Sequence, residues 1–256
     1  MLEKGLDKIY NEDLATQKHY IDLICKDLRG RDLPIIYDLK AFYVPNNDYM
    51  IEYFGHNISN PRYDCYNYNG YCSWTHHLVI PVRDVMGKVV GFTGYNPYVS
   101  LAHSKELKTK EEEEISKLSR YKESSKILMD KSKFFIAPLG IRKAIEDKYI
   151  VVIDGVFDSI SVANEGFNSL CILGSTVSEE VRFCLSFIET IYVAYDNDYA
   201  GIKLFNRLKT MFPNVLAIRQ SKCKDIDGFI KQYPDGFNKS MQSIFSKVKT
   251  SILLEP

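Results

Sequence analysis

The sequence predicts an α/β fold, with a parallel sheet flanked by helices preceded by a smaller half that mixes helices with short strands. Three observations lead there. From residue 149 onward, short β-branched apolar runs alternate with stretches of helical length. Upstream, "HHLVIPVRDVMGKVVGFTGY" (76–95) sets two apolar strands around a turn, the pattern of a β-hairpin. Finally, aspartates recur where the later apolar runs stop.

Composition bounds the function classes. A chain of 256 residues, 45% hydrophobic and 26% charged, holds one large domain or two modest ones around a substantial core. No stretch approaches the roughly 20 consecutive apolar residues of a membrane span. The start, "MLEKGLDKIYNEDL", lacks the apolar core of a signal peptide. The expected setting is cytoplasmic, with no membrane partner. Six cysteines include no C-x-x-C pair. Cys65 and Cys72, with His76 and His77 just beyond, form the one potential zinc cluster, and their irregular spacing argues instead for reduced, mostly buried thiols. The zero net charge argues against a wholly basic nucleic-acid binder. Residues 117–148 nevertheless carry nine Lys/Arg against four Asp/Glu, and residues 201–250 carry ten against three. That asymmetry permits a local basic groove as well as ordinary solvated helix faces.

The elements follow in order. "QKHYIDLICKDLRGRDLPIIYDLKAFYVPN" (17–46) has apolar residues at helical spacing, punctuated by Gly30 and Pro34. Residues 59–76 are a connector rich in tyrosine and asparagine. The hairpin turns at Asp84-Val85-Met86-Gly87-Lys88. Residues 105–126, "KELKTKEEEEISKLSRYKESSK", read as an exposed, mobile segment, helical in part. Next come strand "YIVVID" (149–154) and a helix through "FDSISVANEG", then strand "SLCILG" (169–174) and a helix that Ser178 caps, running to about Glu189. "IYVAYD" (191–196) is the third strand, "AGIKLFNRLKTMF" the third helix and "NVLAIRQ" (214–220) the fourth strand. The expected division is residues 1–148 as a subdomain of helices plus hairpin with a basic segment at 117–133, residues 149–232 as the parallel-sheet subdomain, and residues 233–256 as a short helical tail.

In open parallel sheets, ligands sit beyond the carboxyl ends of the strands. Asp154 ends the first strand and Asp158 follows one helical turn later, Asp196 and Asp198 follow the third strand, and Asp225 and Asp227 follow the fourth. Each pair has a plain structural role open to it: Asp158 beside a helix N-terminus, Asp196 and Asp198 capping the next helix, Asp225 and Asp227 in a turn. Six carboxylates converging without a cation would raise one another's pKa severely. Oxygen-only ligands favour magnesium or manganese over zinc, and two or more such ions suit phosphoryl chemistry.

"VVIDGVFDSISVANEGFNSLCILGS", "VAYDNDYAGIKLFNRL" and "KDIDGFI" resemble the TOPRIM module of DnaG-type primases, topoisomerases and some nucleases. "LVIPVRDVMGKVVGFTGY" resembles the strand pair that precedes it in DnaG-type primases, "RYKESSK" their short basic segment, and "LICKDLRGRDLPIIYDLKAFYVPN" the helical start of the same polymerase domain. The resemblance implies a metal-binding edge of Asp154, Asp196, Asp198, Asp225 and Asp227, with Asp158 beside it. Asp154, Asp196 and Asp198 are the implied catalytic residues. It also implies nucleic-acid or nucleotide contacts from Arg120, Lys122 and Lys126, from Lys222 and Lys224, and from Arg83, for which a pairing with Asp84 is the structural alternative. The departures are Asp154 where the family usually has glutamate, Tyr95 where an arginine is usual, and "SWTHH" in place of an arginine-rich approach. No zinc-binding module is expected before the domain and no helicase-binding module after it.

The resemblance implies a primase catalytic core that makes short RNA primers on single-stranded DNA from ribonucleoside triphosphates, with magnesium or manganese and without zinc. A replicative helicase, or a zinc-binding module supplied in trans, would be its partner. Basic side chains around 117–133 and 219–224 would hold phosphates, and Tyr66, Tyr68 and Tyr71 are candidates to stack on bases. The alternatives are a TOPRIM-type nuclease using the same metals and a primase-like regulator that binds without catalysis. The compact form suggests a phage or mobile element, acting in the host cytoplasm.

Overall fold

The computed structural model of the chain describes residues 2–28, 30, 32–54, 77–96, 121–123, 135–173, 177–195, 199–220, 222–246 and 250–254. Two compact units emerge, one of residues 1–32, 37–83 and 88–130 and one of residues 33–36, 84–87 and 131–256. The boundary therefore falls near residue 130 rather than 148. Phe135–Ile136 pairs with a strand of the second unit, and Ala144 lies in that unit's core. Among the described residues, no helix is long and apolar enough to cross a membrane.

The first unit opens with α1 (Leu2–Glu12), whose Leu2, Leu6 and Ile9 recur at helical spacing and are buried. Gly5 brings α1 against α4 (Asn47–Phe54), where an added methyl would overlap the Phe54 ring. Helix α2 (Leu14–Leu23) runs on into a π turn at Ile24–Leu28, and the short α3 (Ile35–Asp38) follows, its Ile35 and Ile36 belonging to the second unit. Strand β1 (Phe42–Tyr43) pairs antiparallel with β2 (Leu78–Arg83), β2 with β3 (Val89–Tyr95), and β3 with β4 (Tyr121–Glu123). Phe42, Phe54 and Phe92 meet in the core of this unit.

The hairpin stands where the sequence places it. Asp84 accepts the Met86 N–H on its side chain and the Gly87 N–H on its carbonyl, each at 2.9 Å. Gly87 takes φ +78°, a conformation in which a Cβ is strained. The charged run is different from its expectation at one point: Tyr121–Glu123 is a strand, since its backbone completes the ladder on Thr93–Tyr95.

The second unit carries the sheet in the order β5-β7-β6-β8-β9-β10. Strand β5 (Phe135–Ile136) is antiparallel to β7 (Ser169–Ile172), whereas β6 (Tyr149–Ile153), β7, β8 (Thr190–Ala194), β9 (Val215–Gln220) and β10 (Ile252–Leu254) run parallel. Both faces are covered, which is why the strands read as unbroken apolar runs. Ile150, Val152, Ile191 and Val193 face α5 (Ile141–Asp147), α7 (Glu179–Leu185) and α8 (Tyr199–Met211). Val151, Ile153, Tyr192 and Ala194 face α6 (Val156–Asn164), α9 (Ile226–Gln232) and α10 (Pro234–Gln242). Each fully buried Val or Ile here is worth about 1.5–3 kcal/mol.

Ser178 accepts the Val181 N–H at 3.2 Å and caps α7, as the sequence predicts, although the helix ends at Leu185. The segment expected to be a helical tail contains α10 and then a strand, because the alternating Ile252 and Leu254 bury beside β9.

Candidate functional site

Strand order locates the site. After β6 the chain moves to β7 on one side, then returns to β8 on the other. The chain direction across the sheet thus reverses between β6 and β8, and a ligand crevice forms beyond the carboxyl ends at such a reversal. Asp154 directly follows β6, while Asp196 and Asp198 follow β8 by two and four residues and lie outside the described residues. Asp225 and Asp227 follow β9, the next strand over.

Around Asp154 the chain is held closely. Its carbonyl accepts the Cys171 thiol from β7 at 3.4 Å. Gly155 begins α6, and a methyl there would collide with the Asp158 carboxylate in the first helical turn. Asp158 Oδ1 accepts the backbone N–H of Asp227 at 3.0 Å. Asp227 Oδ1 in turn accepts the Ser161 hydroxyl at 2.5 Å. Asp225 caps α9, its Oδ1 accepting the Gly228 N–H at 2.8 Å. Two of the six aspartates, Asp158 and Asp227, thus also build the junction of α6 with α9, and with Asp225 they put negative charge near both helix N-termini, where the macrodipoles favour it.

The loop between β9 and α9 is tied down by Gln220, which is buried. Its Nε2 donates to the Tyr195 carbonyl at 3.4 Å and to the Lys224 carbonyl at 3.1 Å. Lys222 and Lys224 are exposed on this loop. Burial, and secondarily the Asp225 carboxylate, push the Cys223 thiol pKa up, which keeps it protonated near neutrality.

The other basic candidates belong to the first unit. Arg83, for which a nucleic-acid contact and a pairing with Asp84 are the two sequence readings, donates to Glu3 on α1 at 2.8 Å, and Glu3 also accepts the Val89 N–H at 3.0 Å. Lys122 lies in β4, its backbone opposite Gly94. Arg120, Lys126, Tyr66, Tyr68, Tyr71, Cys65, Cys72 and His76 lie outside the described residues. His77 Nδ1 lies 2.9 Å from the Val44 carbonyl.

Among the described residues, no three Asp, Glu, His or Cys side chains are grouped as a metal site. Asp154, Asp158, Asp225 and Asp227 alone do not make a cage, and their carboxylate oxygens are donors of the kind a hard cation takes. A cavity of about 460 Å³ lies elsewhere, at the opposite edge of the sheet between Tyr149, Tyr192 and Phe245. Sequence reading did not single out Ser161, Gln220 or Tyr195; Arg219 fell within the basic range 219–224, but its pairing with Tyr195 was not foreseen. Ser161 sits one helical turn after Asp158, a signal that was available. The others depend on strand register.

Comparisons with known proteins meet this geometry. Residues 151–230 match the Toprim-like family model. No curated protein matches the sequence. Among solved structures, the zinc-binding and RNA polymerase domains of the Aquifex aeolicus primase align at TM-score 0.69 and 20% identity, over 94% of this chain and 60% of that one. The Escherichia coli primase catalytic core aligns at 0.64 and 18%, over 94% and 78%. The RNA polymerase domain of Mycobacterium tuberculosis primase DnaG, in complex with double-stranded DNA, aligns at 0.61 and 16%, over 87% and 72%. The chain spans 60% of the length of the Aquifex structure. It has the fold of the DnaG-type primase catalytic core, with a Toprim-like segment at its parallel sheet.

Proposed function

We propose that this chain is a primase-type nucleotidyltransferase, joining ribonucleotides into short primers along a single-stranded DNA template. The observation that carries the reading is the reversal of strand order between β6 and β8, with Asp154 at one lip and the Asp196–Asp198 segment following the other. The similarity of the whole fold to primase cores supports it.

In this reading Asp154, Asp196 and Asp198 hold the divalent cations, with Asp225 and Asp227 completing the edge and Asp158 beside them. All donors are carboxylate oxygens, which suit magnesium or manganese. Such cations, when bound, supply a lowered hydroxyl pKa and charge to offset phosphate oxygens. The chain's own residues do the rest. Asp158, Ser161 and Asp225 fix α9 so that Asp227 stays near the edge. Lys222 and Lys224 on the second unit draw in phosphates of nucleotide and template, and Arg120, Lys122 and Lys126 offer the first unit its own phosphate contacts. Arg83, paired with Glu3, braces the hairpin and lends positive charge. A zinc-binding module or replicative helicase acting in trans belongs to the same reading.

The test is incorporation of labelled ribonucleotides on single-stranded DNA with magnesium or manganese, run beside Asp154→Ala. Template-dependent short RNA, reduced about 100-fold or more in the variant, supports the reading. Metal-dependent shortening of the DNA with no RNA product would assign a nuclease instead.

A further inference from the structure

Arg219 is the last residue but one of β9, and its side chain is exposed. An exposed arginine ordinarily wanders among rotamers. This one is anchored. Its Nε donates to the Tyr195 hydroxyl at 2.7 Å, and its guanidinium carbon lies 5.7 Å from the centre of the Tyr195 ring. Tyr195 is itself only 3% exposed and packs on Phe205 of α8, with ring centres 5.3 Å apart. The ring therefore cannot swing away, and the guanidinium rests on a fixed base.

The place matters as much as the anchor. Tyr195 directly precedes Asp196. The register pairs Val152 with Val193, so continuing it by two residues brings Asp154 level with Tyr195. The register between β8 and β9 brings Arg219 level with Tyr195 in the same way, one residue past the Ala194–Ile218 pair. The cation thus stands at the height where the acidic edge begins. Among the described residues, no carboxylate is within ion-pair reach of it, although acidic side chains are the commonest feature of this edge. Among the described residues, only Nε is engaged in a hydrogen bond, and the Nη pair offers a planar donor fork suited to two oxygens of a phosphate.

From this geometry we infer that Arg219, held by Tyr195, is a phosphate-binding residue at the acidic edge. The inference rests on the primase reading, in which two phosphate sources reach this edge: the triphosphate of an incoming ribonucleotide and the backbone of the template strand. Tyr195 is its positioning residue, since it sets the direction of the fork without touching the phosphate.

The experiment measures binding of a fluorescent ribonucleoside triphosphate with magnesium, and of a labelled thymidine oligonucleotide over a salt series. The proteins are wild type, Arg219→Gln, Arg219→Lys and Tyr195→Phe, each checked for an unchanged thermal midpoint. Arg219→Gln is expected to weaken one of the two ligands at least fivefold. Lysine should recover only part of the loss, because it supplies charge without the fork. Tyr195→Phe keeps the ring but removes the acceptor, and should give an intermediate loss. A loss confined to the triphosphate assigns the fork to the nucleotide. A loss confined to the oligonucleotide, with the salt slope reduced by about 0.7, assigns it to the strand. Equal binding of both ligands by wild type and Arg219→Gln overturns the inference and leaves the primase reading standing. Failure of the wild type to bind either ligand overturns both.

Discussion

Asp158 and Asp227 are 69 residues apart in sequence, yet the Oδ1 of one accepts the backbone N–H of the other at 3.0 Å. The bond joins the first turn of α6 to the first turn of α9, so the helix after β6 and the helix after β9 are fixed to each other beside the strand ends. Removing the acceptor leaves a half-buried N–H without its partner. Asp158→Ala is expected to cost about 1–2 kcal/mol in urea denaturation, and Asp158→Asn, which keeps an acceptor oxygen, to recover most of it. Equal losses in both variants would contradict this role for the oxygen.

Gly155 belongs to the same junction. Its φ of −85° is open to any residue, so the requirement for glycine is steric: a methyl would overlap the Asp158 carboxylate. Gly155→Ala is expected to cost about 1–3 kcal/mol by displacing Asp158. Because the cost runs through Asp158, combining it with Asp158→Ala should give less than the sum of the two. A double-mutant cycle with strictly additive losses would refute the coupling.

In the first unit, Gln17 is 1% exposed on α2 and acts as a substitute strand for β1. Its Oε1 accepts the Tyr43 N–H at 2.5 Å, while its Nε2 donates to the Tyr43 carbonyl at 3.2 Å and to the Tyr49 hydroxyl at 2.6 Å. Gln17→Leu fills the space but satisfies none of these groups. The expected loss is about 1–3 kcal/mol, read as a lower thermal midpoint. A midpoint unchanged from wild type would show that the network contributes nothing.

Asp147 gives a pH signature. Hydrogen bonds from Lys143 and from Asn168 hold its carboxyl below the usual value of 3.8. A carboxyl more acidic in the folded chain than in the unfolded one adds stability above its unfolded pKa and loses it as pH falls through the folded value. The side chain is 33% exposed, so solvent screening keeps the contribution modest. Asp147→Ala should therefore be less stable than wild type at pH 7, with the gap shrinking below about pH 4. A gap constant from pH 7 to pH 3 would contradict the assignment.

Much of the second unit was legible because burial on both faces writes each strand as a continuous apolar run, and Ser178 marks a helix start chemically. Elements of two or three residues, β1, β4, β5 and β10, were not, since their pairing partners lie far away and no periodicity can show in so few positions. Strand β4 was further hidden within a charged run. The acidic edge was visible as a pattern of aspartates after strands. Its internal wiring was not: the Asp158–Asp227 bond and the Arg219–Tyr195 contact are fixed by packing and register, and no spacing in the sequence encodes them, any more than it encodes the Arg83–Glu3 pair of the first unit.

In the proposed function, the carboxylates that follow β6, β8 and β9 form one cation site. Manganese binding followed by electron paramagnetic resonance tests it most directly, in wild type and in Asp196→Ala/Asp198→Ala. The expected result is bound manganese in wild type, displaced by magnesium, and affinity at least tenfold weaker in the variant with an unchanged thermal midpoint. Manganese bound equally by both proteins, or by neither, would contradict it.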